Sequence, residues 1–82
     1  MKPLVSVVMP SYNGGKFIGE AIESVISQTY ENWELIIVED CSEDDSQKII
    51  QNYTDQRIRL FCNERNQGIA ESTNRGIRKS RG

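Results

Sequence analysis

Three observations along 82 residues predict an α/β fold in which helices cover both faces of a parallel sheet. Three short apolar runs recur, Leu4–Met9, Leu35–Val38 and Ile58–Cys62. Each is followed by a polar loop rich in turn residues. Each loop then opens a segment whose apolar side chains return at helical spacing. Strands that alternate with helices are joined by right-handed crossovers and therefore lie parallel. The length allows one small domain.

The elements follow in order. Leu4-Val5-Ser6-Val7-Val8-Met9 is broken by a single serine, which suits a strand covered on both faces and placed inside the sheet. Pro10 ends it, and Ser11-Tyr12-Asn13-Gly14-Gly15 is a turn-forming loop. From Lys16 the period changes. Phe17, Ile18, Ala21, Ile22, Val25 and Ile26 mark one helical face, with Glu20, Glu23 and Ser24 opposite, until the helix fades near Gln28-Thr29. Trp33 and Leu35–Val38 form a second strand that stops abruptly in acid at Glu39-Asp40. Ser42-Glu43-Asp44-Asp45 has the spacing of a capping box, and Ile49, Ile50 and Tyr53 are the expected buried stripe of the second helix.

Ile58-Arg59-Leu60-Phe61-Cys62 is shorter and partly alternating, as at a sheet edge. After the loop Asn63–Gly68, the residues Ile69, Ala70, Thr73 and Ile77 mark a third helix. Gly76 weakens that helix by about 1 kcal/mol relative to alanine. No strand follows it, and the first strand lacks a neighbour on one side. Both features predict a truncated domain, with an open strand edge suited to pairing with a second copy of the chain.

Composition narrows the chemistry. The chain has no histidine, which excludes Ser-His-Asp and Cys-His catalysis and leaves Cys41 and Cys62 without partners for a zinc site. The two cysteines could bridge, although a reducing compartment favours free thiols. Residues 1–56 carry three basic and ten acidic side chains, and residues 57–82 carry seven and two. That basic end is either a solvated helix or a surface for phosphate or anionic lipid. No aromatic residues interleave with the late arginines, so nucleic acid is not an expected partner. No apolar run approaches the roughly 18 residues of a membrane span or forms a signal-peptide core, so the chain reads as cytoplasmic.

Ligands of open α/β sheets bind beyond the carboxyl ends of the strands. Three loops lie there: Pro10–Gly15, Glu39–Asp44 and Asn63–Gly68. In the first, Tyr12 can stack on a base, while Asn13 either takes part or caps the turn. G-x-G-x-x-G and the P-loop lysine are both absent, which excludes those phosphate motifs. In the second, two adjacent carboxylates end a buried strand, where they repel each other and are hard to desolvate. That placement calls for a donor, such as a base imide or a ribose hydroxyl on Asp40. In the third, Asn66 is either a helix cap or part of a polar ligand site at a helix N-terminus.

The run Val5-Ser6-Val7-Val8-Met9-Pro10-Ser11-Tyr12-Asn13 resembles the opening of the family 2 glycosyltransferases, a hydrophobic strand followed by Pro-x-Tyr-Asn. Gln28-Thr29-Tyr30, Trp33–Val38 and Glu39-Asp40-Cys41-Ser42 are similar to the family's next block, and Asn66-Gln67-Gly68 with Asn74-Arg75-Gly76 to its third. The resemblance covers essentially the whole chain. It implies the nucleotide-binding half of a GT-A, Rossmann-like fold over residues 1–82, and inverting transfer of a sugar from a nucleotide donor, usually UDP-linked. It also implies that Pro10 and Tyr12 line the base pocket, with Asn13 a further nucleotide-binding candidate, that Asp40 bonds the uracil with Glu39 beside it, and that Asn66 and Gly68 shape the closing loop. A divalent metal, Mg or Mn, and a catalytic base are implied for the full-length enzyme, whose expected place is the cytoplasm or the inner face of the membrane. Their residues are expected beyond Gly82, so no catalytic or metal-binding residue is assigned here. Glu39 replaces the usual aspartate and Cys41 the usual glycine, the latter a strain if the turn needs a positive φ. A non-catalytic nucleotide-binding or interaction module, or a nucleotidyltransferase, are the alternative readings.

Overall fold

The computed structural model describes residues 3–15 and 17–82, so Lys16, the expected start of the first helix, lies outside the described residues. Strands β1 (Val5–Ser11), β2 (Trp33–Glu39) and β3 (Ile58–Cys62) alternate with helices α1 (Ile18–Ser27), α2 (Ser46–Gln51) and α3 (Ile69–Lys79). The strands are parallel in the order β1-β2-β3. Ser11 aligns with Glu39, and Glu39 with Cys62, so the carboxyl ends of all three strands finish level.

The near-continuous apolar run of β2 has a physical reason, because every residue of this central strand is buried. Side chains alternate across the sheet. Val7, Met9, Leu35 and Ile37 face α1 and α2, where Ile18, Ile22 and Ile50 complete the main core. The opposite face receives α3. Helices therefore cover both faces, as the strand and helix periods require.

As expected of a strand that lacks a neighbour on one side, β1 pairs among the described residues with β2 alone, and Val5 is 46% exposed. Two expectations need correction. α2 starts at Ser46, and its beginning is not the expected capping box. Ser42 gives its hydroxyl to Glu39, and Asp44 Oδ1 accepts the Ser46 N–H at 3.0 Å. The face of α3 is also turned. Ile69 and Ile77 are exposed, while Ser72 and Gly76 are buried against the sheet. A Cβ on Gly76 would lie 2.3 Å from Val8 Cγ1 and 3.4 Å from Val38 Cγ2. Small residues let the helix lie close to β1 and β2, and the bulkier isoleucines turn outward. The helical cost of Gly76 is offset by this approach.

Below the core, Glu34 is a buried acid on the α3 side. It accepts from Ser6 Oγ at 2.6 Å, Arg59 Nη1 at 2.9 Å and the Arg81 N–H at 2.6 Å. Burial opposes its ionisation, but these donors outweigh burial and bring its pKa down to about 2. Arg59 also donates to the Lys79 carbonyl at 2.8 Å, fastening the end of α3. Arg57 pairs with Asp55 at 2.6 Å and lies over the Trp33 ring at 3.8 Å. Arg57, Arg59 and Arg81 of the basic C-terminal part are thus engaged within the fold, whereas Arg65, Arg75 and Arg78 border one polar surface groove.

Candidate functional site

The three strand-end loops are joined by side chains into one rim. The Asn13 N–H donates to Ser42 Oγ at 2.7 Å, and Asn13 Oδ1 accepts the Glu43 N–H at 2.8 Å. The Gly15 N–H donates to Asp44 Oδ2 at 3.1 Å. These bonds tie the first loop to the second. Asn13 adopts φ +49°, a conformation asparagine tolerates better than most residues. Its side chain is occupied by the second loop, where it neither caps α1 nor faces the cavity.

Asp40 ties the second loop to the third. Its Oδ1 accepts from Asn63 Nδ2 at 2.9 Å and from the Gln67 N–H at 2.7 Å, and its Oδ2 accepts the Gly68 N–H at 2.8 Å. Burial alone would raise its pKa. The two backbone N–H groups at the entry to α3, with the Asn63 amide and Ser72 hydroxyl, outweigh burial and hold the carboxyl below the ordinary aspartate range. The positive end of the α3 dipole adds to the same preference. Most of the carboxylate's accepting capacity is therefore used by the chain itself.

The adjacent Glu39 points elsewhere. It is 1% exposed and accepts the Ser42 N–H at 3.2 Å together with the Ser42 hydroxyl. The two acids escape mutual repulsion by serving different loops. Between them and Ser42, Cys41 adopts φ +59°. The turn does take a left-handed residue, and an L side chain occupies it at a cost of roughly 1–2 kcal/mol.

Above this rim, along the free side of β1, lies a cavity of about 470 Å³. Five of the residues expected at the site border it: Pro10, Tyr12, Asp40, Asn66 and Gly68. Gly68 opens α3 at φ +89°, and its N–H is shared between Asp40 and Asn66 Oδ1, the latter at 3.2 Å. Asn66 is thus placed before the helix and not at its cap. Asn13 and Glu39 are excluded from the cavity wall and hold the rim together.

Of the bordering side chains that the sequence did not assign to the site, three stand out. Phe17 and Ile69 are 69% and 74% exposed, one at the start of each flanking helix, and with the half-exposed Tyr12 they present apolar surface to the opening. Their exposure was legible only in part, since both also fit the apolar period of their helices. The third, Ser11, gave no signal beyond its place in the loop.

The rim, its level strand ends and the cavity can hold a flat polar ring against apolar walls. The sequence profile of "Glycosyl transferase family 2" matches residues 6–82. The chain belongs to that family. It is 42% identical over 83 residues to the putative teichuronic acid biosynthesis glycosyltransferase TuaG of Bacillus subtilis, covering 99% of this chain and 33% of that protein. It is 40% identical to the glucosyltransferase WfgD of Escherichia coli, covering 96% of this chain and 31% of WfgD. The chain thus spans about a third of the length of these relatives.

Among solved structures, S. aureus TarS 1-349 in complex with UDP-GlcNAc superposes with a TM-score of 0.90 at 27% identity, covering 99% of this chain and 24% of TarS. The mannosyltransferase PcManGT from Pyrobaculum calidifontis shares the fold at a TM-score of 0.91 and 24% identity, over 100% of this chain and 26% of its own. The fold is therefore that of a portion of the GT-A glycosyltransferases. Among the described residues, no group of three or more His, Cys, Asp or Glu side chains could hold a metal. No helix among them is long and apolar enough to cross a membrane.

Proposed function

We propose that residues 1–82 are the nucleotide-binding N-terminal part of an inverting glycosyltransferase. The whole protein moves a sugar from a UDP-linked donor to a hydroxyl acceptor in polysaccharide or glycoconjugate synthesis. The observation that carries this reading is the convergence of three strand-end loops on one cavity bordered by Pro10, Tyr12, Asp40, Asn66 and Gly68. TarS, of the same fold, has been solved with UDP and with UDP-GlcNAc, which supports a uridine nucleotide.

In this reading Tyr12 stacks on the base, and Pro10, which has no N–H, closes one wall. Asp40 acts chiefly by holding Gln67 and Gly68 in place, and any further bond to the base uses what remains of its accepting capacity. Glu39 and Asn13 keep the rim rigid, so that little ordering is needed on binding.

The divalent metal, Mg or Mn, finds no cluster of three ligands among the described residues, and Asp44 is engaged by Ser46 and Gly15. We place the metal ligands and the catalytic base in sequence beyond residue 82, and expect the chain alone to transfer no sugar. PcManGT, solved with GDP-Man and Mn2+, is consistent with metal use in this fold. A nucleotide-sugar donor favours action on the cytoplasmic side of the membrane. For the isolated chain, the free edge of β1 supports pairing with a second copy, which a strictly monomeric mass by light scattering at high concentration would contradict.

The nucleoside assignment is tested by calorimetric titration of the protein with UDP, CDP and GDP. Preference for UDP is expected, and equal affinity for all three, or none for any, would refute it.

A further inference from the structure

Ser11 ends β1 with only 6% of its surface exposed, yet its Oγ has no hydrogen-bond partner among the described residues. Buried hydroxyls are nearly always paired, because an unpaired one forfeits its hydration without return. Other serines facing the sheet or its loops find internal partners. Ser6 donates to Glu34, Ser46 bonds Asp44, and Ser72 accepts from Asn63. Ser11 and Ser72 both border the cavity, but only Ser72 has a partner, and the Ser11 hydroxyl is left unpaired.

Its position is also fixed. The Ser11 carbonyl accepts the Asp40 N–H at 2.7 Å, which locks the strand end to the second loop. A Cβ on Gly14 would lie 3.4 Å from Ser11 Oγ, so this glycine lies directly over the hydroxyl. The surrounding wall, with Met9, Phe17, Ile18 and Ala21, is apolar and offers the hydroxyl nothing. Across the cavity, Asp40 is already engaged by Asn63, Gln67 and Gly68. The Ser11 hydroxyl has both its donor and acceptor capacities unspent and lies just beneath the cavity lining, where a small turn of its side chain brings it to a polar ligand.

We propose that Ser11 Oγ is a recognition group for the nucleoside of the bound nucleotide, hydrogen-bonding a ribose hydroxyl or a base carbonyl. The assignment rests on the nucleoside reading of the cavity. It makes the end of β1 a specificity element, where the family resemblance pointed only to the flanking Pro10 and Tyr12.

The test is calorimetric titration of the wild-type, Ser11→Ala and Ser11→Thr proteins with UDP and with uridine, alongside thermal melts. Ser11→Ala should weaken both ligands roughly five- to tenfold, as expected for one lost neutral hydrogen bond. Its melting temperature should be unchanged or higher, because an unpaired buried hydroxyl has been removed. Ser11→Thr, which keeps the hydroxyl, should bind within about twofold of wild type. Unchanged affinity in Ser11→Ala overturns the assignment while leaving the nucleoside reading intact. A loss seen with UDP but not with uridine overturns it too, since the contact would then be to phosphate. A lower melting temperature or failure of Ser11→Ala to fold shows a structural role and likewise overturns it. If the wild-type protein binds neither ligand, the nucleoside reading fails and this assignment fails with it.

Discussion

Replacing Asp40 by asparagine isolates the group on which two of the three loops depend. The wild-type carboxylate accepts from Asn63 and Gln67 on one oxygen and from Gly68 on the other. An asparagine has one accepting oxygen and one donating amide. In its better orientation the oxygen keeps Asn63 and Gln67, and the amide nitrogen faces the Gly68 N–H, two donors in opposition. Gly68 then retains only the 3.2 Å contact from Asn66 Oδ1. Losing one charge-assisted bond costs roughly 1.5–3 kcal/mol, and the remaining two weaken with the charge gone. A total of about 3 kcal/mol follows, out of a stability of roughly 4–12 kcal/mol for a domain of this size. At roughly 4–8 °C per kcal/mol, the melting temperature falls by about 12–24 °C.

The pH dependence supplies a second check. The folded pKa of Asp40 lies below its unfolded value of about 3.9. Its contribution is therefore complete above that value and is lost as pH falls through the folded pKa. Circular-dichroism melts of both proteins from pH 7 downward should show a constant difference to about pH 4.5 and a shrinking one below. Other acids cancel in the comparison. A variant as stable as wild type at pH 7, or a difference that persists undiminished at pH 2, would refute the role given to Asp40.

Two other substitutions probe the frame that carries the site. Gly76→Ala gains about 1 kcal/mol of helix propensity but drives a methyl group into Val8, at a cost of about 1–3 kcal/mol; urea unfolding should show a net loss, and adding Val8→Ala should recover part of it, whereas simple additivity contradicts the packing account. Glu34→Gln removes the charge that Ser6, Arg59 and Arg81 surround. Because the folded pKa is lowered to about 2, its stabilisation is present at neutral pH and is lost between about pH 4.5 and pH 2. The variant should be less stable at pH 7 and indistinguishable from wild type near pH 2, as read by acid titration of ellipticity.

The strands and their order of chemistry were legible because each leaves a local trace. The run Leu35–Val38 is apolar throughout because β2 is buried on both faces, and Ile58–Cys62 alternates because β3 is an edge. The acid pair Glu39-Asp40 at the end of β2 marked the second loop as special. What each acid does was not legible, since the partners of Asp40 come from Asn63 to Gly68 and meet it only once β3 is paired. The face of α3 failed for a similar reason. Isoleucines at i and i+8 look like a buried stripe, but Ser72 and Gly76 also share a face, and close approach to Val8, 68 residues earlier in the chain, decides between them. The start of α2 was misplaced because Ser42 had two roles available, and a buried Glu39 within reach outcompeted the helix. Ser11 could not have been found from sequence at all, because its lack of a partner is a property of the folded surroundings.

The central claim is that the loops at the carboxyl ends of the strands form one nucleoside site. Amide chemical-shift mapping by NMR during titration with UDP tests it most directly. The account predicts shifts concentrated at Tyr12, Gly14, Asp40, Gly68 and Ile69, with Trp33, Arg57 and the Glu34–Arg81 cluster at the other end of the sheet unmoved. Shifts centred on that opposite end, or spread evenly over the basic C-terminal residues, would contradict it.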